Sequence, residues 1–354
     1  MKRTTKYVGL DVHQATTSVA VRDENDRVIA QTVLPTEGPA LVEYFRGMRG
    51  TVRVAFEEGT QAQWLHDLLE PVVSRVLVCD RRGESKRGNK ADAMDAAALS
   101  ARLRHGTLRA VYHGSPERAQ LKELGRAYRT IVEDATRVKL RLKALFRARG
   151  IKTAGRTLYN APHRAEWLAK LAEPAARFRA EALYDELVVL QRLHAKAALA
   201  VVAEARRDPA WRSLRTIPFL GPIRVALLLA TLQTPWRFRT KRHLWAYAGL
   251  AVVLRSSADY EFAGGQARRR RRAPLTRGLN RNHNPTVKNI LKSMATDAAR
   301  RPGPLQDWYQ KMLIGGMREE LARVTLTRKL AGITLRLWKT GGAYDPIHLS
   351  VPAR

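Results

Sequence analysis

Acidic residues are scarce in this chain. Its 354 residues hold 32 Asp+Glu against 64 Lys+Arg, a formal charge of +32, with an isoelectric point near 11.1. That imbalance argues for a polyanionic partner, most often nucleic acid. Cysteine is almost absent: Cys79 stands alone in the apolar run "RVLVCD". A lone thiol cannot close an internal disulfide, so a reducing cytoplasm is expected, and Cys79 reads as core packing. Long apolar runs are missing too. No stretch reaches the roughly 18 residues of a membrane span, and "VALLLATL" at 225–232 reads as a buried helix. The start, "MKRTTKYVGLD", meets an acid before any long apolar stretch, which argues against a signal peptide. Aromatics are only 7% of the chain, and Trp236, Trp245 and Trp308 sit in apolar helical contexts that predict core packing rather than base stacking. There is no internal repeat, and low complexity is confined to "ARRRRRA", Arg268–Arg272.

What is present is patterned for folding. Hydrophobic residues make up 45% of the chain, enough for real cores, and its length suits two or three domains. Residues 6–80 alternate strand and helix signals. "YVGLDV", "TSVAVRD" and "RVIAQTVL" read as a three-stranded antiparallel meander turned at "ENDR". "GPALVEYFRGMR" has helical spacing, "TVRVAFE" is a strand, "QAQWLHDLLEPV" a helix, "RVLVCD" a strand and "ADAMDAAALSARLRHG" a helix ending at glycine. The order βββαβαβα is an α/β sheet of mixed direction and matches the ribonuclease H-like arrangement. Residues 115–206 are long, charged and helical. Their apolar positions recur at three and four residues, as an amphipathic hairpin or coiled coil needs, with "AGRTLYNAPHR" between the halves. From 207, "LRTIPFLGPIRVALLLATL" resembles a helix-hairpin-helix, in which glycine-turn amides meet phosphates. "HLWAYAGLAVVLRSS", a basic stretch and a helical C-terminus follow. The boundaries expected are 1–110 for the α/β domain, 111–206 for the helical region, 207–345 for a mainly α-helical C-terminal domain, and 346–354 for a tail.

Against this background the retained acids matter. Asp11 ends an apolar strand, where an unpartnered carboxylate is costly. Glu57 and Glu58 end the fourth strand, and residues 52, 54, 56 and 58 share one of its faces by period two. Asp92 and Asp95, spaced i, i+3, lie on one face of the next helix. Each acid has a plainer reading: a turn cap for Asp11, an N-cap for Asp92, a first-turn carboxylate for Asp95. In a ribonuclease H-like sheet the first and fourth strands are neighbours, so the acids can converge. A carboxylate cluster is what phosphodiester cleavage by two metals requires, with ions about 4 Å apart clamping attacking and leaving oxygens.

The motifs "GLDVH", "EEGTQAQWL" and "KADAMDAAALSARL", followed by "TIPFLGPIRVALLLATL", "RFRTKRHLWAYAGLAV", "RSS" and "NPTVKNILKSMA", resemble those of the one-ten family of insertion-sequence transposases over nearly the whole chain. The resemblance implies a RuvC-like domain with a DEDD acid set, then a transposase domain with a reactive serine. It implies that Asp11, Glu58, Asp92 and Asp95 are the acids holding Mg²⁺, two ions per site, with Glu57 the alternative to Glu58 and Lys90 beside the closing pair. Counting from Gly249-Leu250, the family's serine falls on Ser257, with Ser256 adjacent. The family glycine after it is Ala258 here, "NRNHNPTVK" replaces the usual lysine-glycine-asparagine pattern, and the segment from Tyr260 to Asn284 is unusually long and arginine-rich. Family members recombine DNA as multimers, guided by a structured noncoding RNA. A homo-oligomer, dimer or tetramer, cytoplasmic and nucleoid-associated, is therefore expected.

A serine hydroxyl needs activation by a base or metal, and a phosphoserine would keep the bond energy for rejoining. Arg255 and the run Arg268, Arg269, Arg270, Arg271 and Arg272 are expected on nucleic acid, raising affinity without reading sequence. Two other readings compete. One is a RuvC-like nuclease or junction resolvase with the acids but no serine chemistry. The other is a non-catalytic nucleic-acid-binding protein.

Overall fold

Eight elements open the chain in the computed structural model: β1 (Thr5–Val12), β2 (Thr16–Arg22), β3 (Val28–Pro35), α1 (Gly38–Arg46), β4 (Thr51–Glu57), α2 (Ala62–Leu69), β5 (Arg75–Cys79) and α3 (Asp92–His105). The structure describes residues 4–80, 92–114, 116–255, 260–263, 266–269 and 275–349. The strand order is β3-β2-β1-β4-β5. β1, β2 and β3 form the antiparallel meander, while β1–β4 and β4–β5 are parallel. This is the ribonuclease H-like order, with the first and fourth strands adjacent as the sequence predicts.

Local chemistry sets the register. At the β2–β3 turn, Asp23 Oδ1 accepts from the backbone N–H groups of Asn25 and Arg27 at 2.9 and 2.8 Å, so the acid just before "ENDR" templates the reversal. β2 alternates β-branched and small residues, and Val19, Ala20 and Val21 are buried. One face of the sheet closes on α1 and α2 through Leu41, Phe45, Leu65 and Leu69. Cys79 is buried, as expected of a core thiol.

The chain divides into two compact units, 1–116 and 117–354. The second begins with α4 (Pro116–Arg147), which returns through two short 3₁₀ turns and α5 (Arg164–Ala169) to α6 (Pro174–Ala205). The pair is antiparallel. Tyr128 of α4 meets His194 of α6 at one end, 3.1 Å from hydroxyl to Nε2. At the other end Val138, Leu142, Leu145 and Phe146 share a core with Ala180, Leu183, Tyr184 and Leu187. Spacings of three and four residues produce that stripe on both helices. Tyr184 donates to the Leu158 carbonyl at 3.0 Å, and burial pushes its phenol up to about 12.

The remaining elements are α7 (Ala210–Arg215), α8 (Pro222–Leu232), α9 (Lys241–Tyr247), β6 (Val252–Arg255), β7 (Tyr260–Ala263), β8 (Gln266–Arg269), β9 (Leu275–Leu279), α10 (Pro285–Arg300), α11 (Pro304–Ile314) and α12 (Glu319–Thr340). The apolar run "VALLLATL" is indeed a buried helix, and with α10 and α12 it builds the core of this region. The basic stretch after "RSS" differs from a plain loop. β6 pairs with β9 and β7 with β8, both antiparallel, so the arginine run begins in a strand. The tryptophans also divide. Trp245 and Trp308 pack against the core, but Trp236 is 72% exposed, which overturns the core-packing expectation for it. The cause is a 3₁₀ turn at Pro235–Arg237, in which Pro235 is the buried residue and Trp236 faces out. No helix among the described residues is long and apolar enough to cross a membrane.

α3 lies against β1 at Gly9, where an added Cβ would stand 2.1 Å from the Ala96 carbonyl oxygen and 2.6 Å from the Ser100 nitrogen. Gly9→Ala is therefore expected to cost about 3 kcal/mol in urea unfolding, the scale of severe overpacking. Gly59→Ala, whose Cβ meets nothing within 4 Å, is expected to stay within about 0.5 kcal/mol.

Candidate active site

Strand alternation sorts the end of the sheet into two faces. Val8 and Leu10 of β1, with Val52, Val54 and Phe56 of β4, belong to the core that α1 and α2 cover. Gly9 and Ala55, partners in register, point the other way, toward α3. Two residues further on that α3 face come Asp11 and Glu57. α3 runs antiparallel to β1. Its Ala96 and Ser100 cross Gly9, and Arg104, in its last turn, donates to the Glu24 carbonyl at the β2–β3 turn, 2.7 Å from Nη2. The first turn of α3, with Asp92 and Asp95, therefore falls at the end of the sheet where β1 delivers Asp11 and β4 delivers Glu57. Asp11 is partly buried, and its Oδ2 lies 3.2 Å from His13 Nε2. The side chain of Asp92, and Lys90 altogether, lie outside the described residues.

Residues 52, 54, 56 and 58 do share a face, and that face is the one packed on α1 and α2. Glu58 follows it. Its backbone N–H donates to the Cys79 carbonyl at 2.9 Å, extending the ladder by one residue, and its carboxylate reaches His113 Nε2 at 2.7 Å. The His113 side chain is buried, at 3% exposure. Its Nδ1 contacts Gln63 Oε1 at 3.1 Å, and Gln63 Nε2 donates to Asp67 Oδ1 at 2.9 Å. That second bond fixes the amide, so His113 Nδ1 must donate to Gln63. His113 also stacks on His66 at 5.3 Å between centroids. Glu57 and Glu58, adjacent in sequence, thus serve opposite faces: one with α3, the other tied to the α2 side through a buried imidazole.

Among the described residues, no three His, Cys, Asp or Glu side chains close around a point where a metal would sit. The donors on the α3 face are nonetheless carboxylates, the hard oxygen ligands of Mg²⁺ and similar ions, so the donor set fits a divalent cation in kind.

In the second unit, Ser256, Ser257 and Arg270–Arg272 lie outside the described residues; Arg255 and Arg269 are placed in β6 and β8, their side chains undescribed, and Arg268 of β8 is exposed. The frame from which β6 leaves is firmly built. Gly249 takes φ +66°, and a Cβ there would stand 2.5 Å from the His283 ring, so "YAGL" needs its glycine twice over. Asn280 Nδ2 donates to the Ala246 carbonyl at 3.1 Å, Asn280 N to Ala251 O at 2.9 Å, and Asn284 N to Tyr247 O at 2.8 Å. Arg328 Nε donates to the Leu250 carbonyl at 2.8 Å, and burial lowers this guanidinium from the usual arginine value. The unexpected "NRNHNP" segment therefore clamps the root of β6. α7 and α8 flank the turn Thr216–Gly221, whose Phe219 and Leu220 carbonyls accept from Arg224 and Arg215 at 2.7 and 2.9 Å.

Comparison with known families decides the class. A family model described as a transposase, of the DEDD type of IS110, matches residues 8–148. A second, described as the transposase of the IS116/IS110/IS902 family, matches residues 211–310. The chain belongs to the IS110 family of transposases. It is an enzyme that acts on DNA. No curated protein matches it. The first match runs from within β1 to the end of α4, and so includes Glu57 and Glu58 and both acids of α3; the second includes the whole β6–β9 segment.

Two features of the transposase escape a motif reading. The face of Glu57 was signalled by the small residues Gly9 and Ala55 two positions upstream, which mark where a helix crosses a sheet. His113 carries no local signal, since its partners are 55 and 50 residues away. His113→Ala removes a buried partner from both Glu58 and Gln63. It is expected to lower unfolding stability by about 1–3 kcal/mol, measured by chemical denaturation, whereas His66→Ala, which removes only the stacked ring and a 3.2 Å contact to Asp67, should cost less.

Proposed function

We propose that the transposase cleaves and exchanges DNA strands between element and target, with a carboxylate-held Mg²⁺ pair at the α3 face and Ser257 as nucleophile. The observation that carries the acidic half is the shared face: Asp11 and Glu57 in adjacent parallel strands, beneath the first turn of α3. Asp11, Asp95 and Asp92 would hold the ions, with one carboxylate from the end of β4 or the residue after it. Glu58 is the sequence's first choice for it, and strand alternation favours Glu57. Bound divalent ions supply Lewis-acid stabilisation of the scissile phosphate. The Ser257 Oγ–phosphorus bond forms as the phosphorus–oxygen bond to one deoxyribose breaks, and that oxygen leaves as a hydroxyl, taking up a proton. The reverse attack by a new hydroxyl restores the serine and joins the strands. Ser256 is the neighbour to test beside it.

Charge supports nucleic-acid partners beyond the element ends. With +32 overall, a structured guide RNA is the partner that would deliver target choice through base pairing, leaving Lys90, Arg255 and Arg268–Arg272 to hold phosphates. Pairing of copies through the α4–α6 hairpin as a coiled coil is supported by its outward apolar residues: Leu140, Phe178 and Leu199 are 59%, 74% and 76% exposed.

The deciding assay is strand exchange between element ends and target, with sequencing of co-purified RNA. Asp11→Asn and Ser257→Ala are each expected to abolish joining, and wild type to yield a protein–DNA adduct that Ser257→Ala lacks. Full joining by Ser257→Ala overturns the serine mechanism. Cut products with free ends and no adduct favour the hydrolytic, resolvase-like reading.

A further inference from the structure

Among the described residues from 207 on, Trp236 is the one large aromatic that the fold turns outward. At 72% exposure it leaves most of its indole in solvent, yet its backbone is not loose. Thr234 caps the turn, its side chain accepting from Trp236 N at 3.4 Å. Pro235 on one side is buried, and Phe238 shortly after is buried too. Arg237 donates to the Leu232 carbonyl at 3.1 Å, fastening the turn to the end of α8. A large apolar ring is thus held out on a short, fastened turn.

Its surroundings are cationic. From Thr234 to His243 the chain reads "TPWRFRTKRH", with four Lys/Arg residues and no acid. Lys339 of α12 places its ammonium 5.2 Å from the Trp236 ring centroid, where it is held by a 2.6 Å bond to the Phe238 carbonyl. A rigid, exposed ring among fixed cations is the arrangement with which proteins take unpaired bases: the ring stacks on a base and the cations meet its phosphates. A duplex keeps its bases inside and offers the ring nothing.

We propose that Trp236, with Lys339 beside its ring and the exposed Arg239 three residues on, is a stacking platform for an unpaired nucleotide. Double-stranded DNA would pass this surface with phosphate contacts alone. The source of the base is either an opened DNA strand or an RNA, and the chemistry is the same for both.

The test uses the full chain and three labelled probes of one sequence: single-stranded DNA, single-stranded RNA and duplex DNA, followed by fluorescence anisotropy. Trp236→Ala is expected to weaken binding of at least one single-stranded probe about tenfold and to leave the duplex within about twofold. Trp236→Phe, which keeps an aromatic face, is expected to retain most of the affinity. A loss confined to the RNA arm assigns the base to RNA, and one confined to single-stranded DNA assigns it to an opened strand. Unchanged binding of both single strands, or an equal loss on the duplex, overturns the proposal. An unchanged thermal midpoint for Trp236→Ala, expected at so exposed a position, keeps the comparison free of folding effects.

Discussion

The close approach of α3 to β1 is the constraint on which the acidic end depends. Only a residue without a side chain lets the Ala96 carbonyl and the Ser100 amide come so near the strand at Gly9. That contact fixes the depth of the helix on the sheet, and the antiparallel run fixes which of its ends meets the acids. Parallel pairing of β1 with β4, Gly9 against Ala55, then places Asp11 and Glu57 in corresponding positions two residues on. Carboxylates in a basic protein become affordable there because they sit at a strand end under a helix N-terminus, where amide dipoles favour negative charge.

The neighbouring glutamates illustrate how one backbone step separates roles. A strand sends successive side chains to opposite faces. Glu57 is committed to the face shared with α3. Glu58 is committed to the face shared with α2, where a buried imidazole, an amide and a second carboxylate form a chain of directed bonds. That chain holds the last turn of the ladder in place, and so bears on the orientation of Glu57 without sharing its face.

Much of this was legible in the sequence. Element order, the meander and the buried helix at 225–232 followed from periodicity and turn residues, and the adjacency of the first and fourth strands from the ribonuclease H-like arrangement that order matches. Period two correctly grouped Glu58 with Val52, Val54 and Phe56, but which face received α3 was a tertiary fact, hinted at only by Gly9 and Ala55. Strand β8 was hidden by its arginines, and β7 with it, although the Gly-Gly between "YEFA" and "QARR" is a hairpin signal. Trp236 misled because it follows the apolar run 225–232 closely in sequence, while a proline-led turn aims it outward. The clamp around Gly249 draws on Asn280, His283, Asn284 and Arg328, residues whose partners lie too far along the chain for local pattern to find.

Metal binding tests the account most directly. Mn²⁺, an oxygen-seeking substitute for Mg²⁺, can be titrated onto the full chain and followed by loss of its free electron paramagnetic resonance signal, with no DNA and no turnover. The account predicts that Glu57→Gln and Asp11→Asn each weaken binding at least about tenfold, while Glu58→Gln binds nearly as wild type. Strong binding by Glu57→Gln together with loss in Glu58→Gln would contradict the division of the two faces.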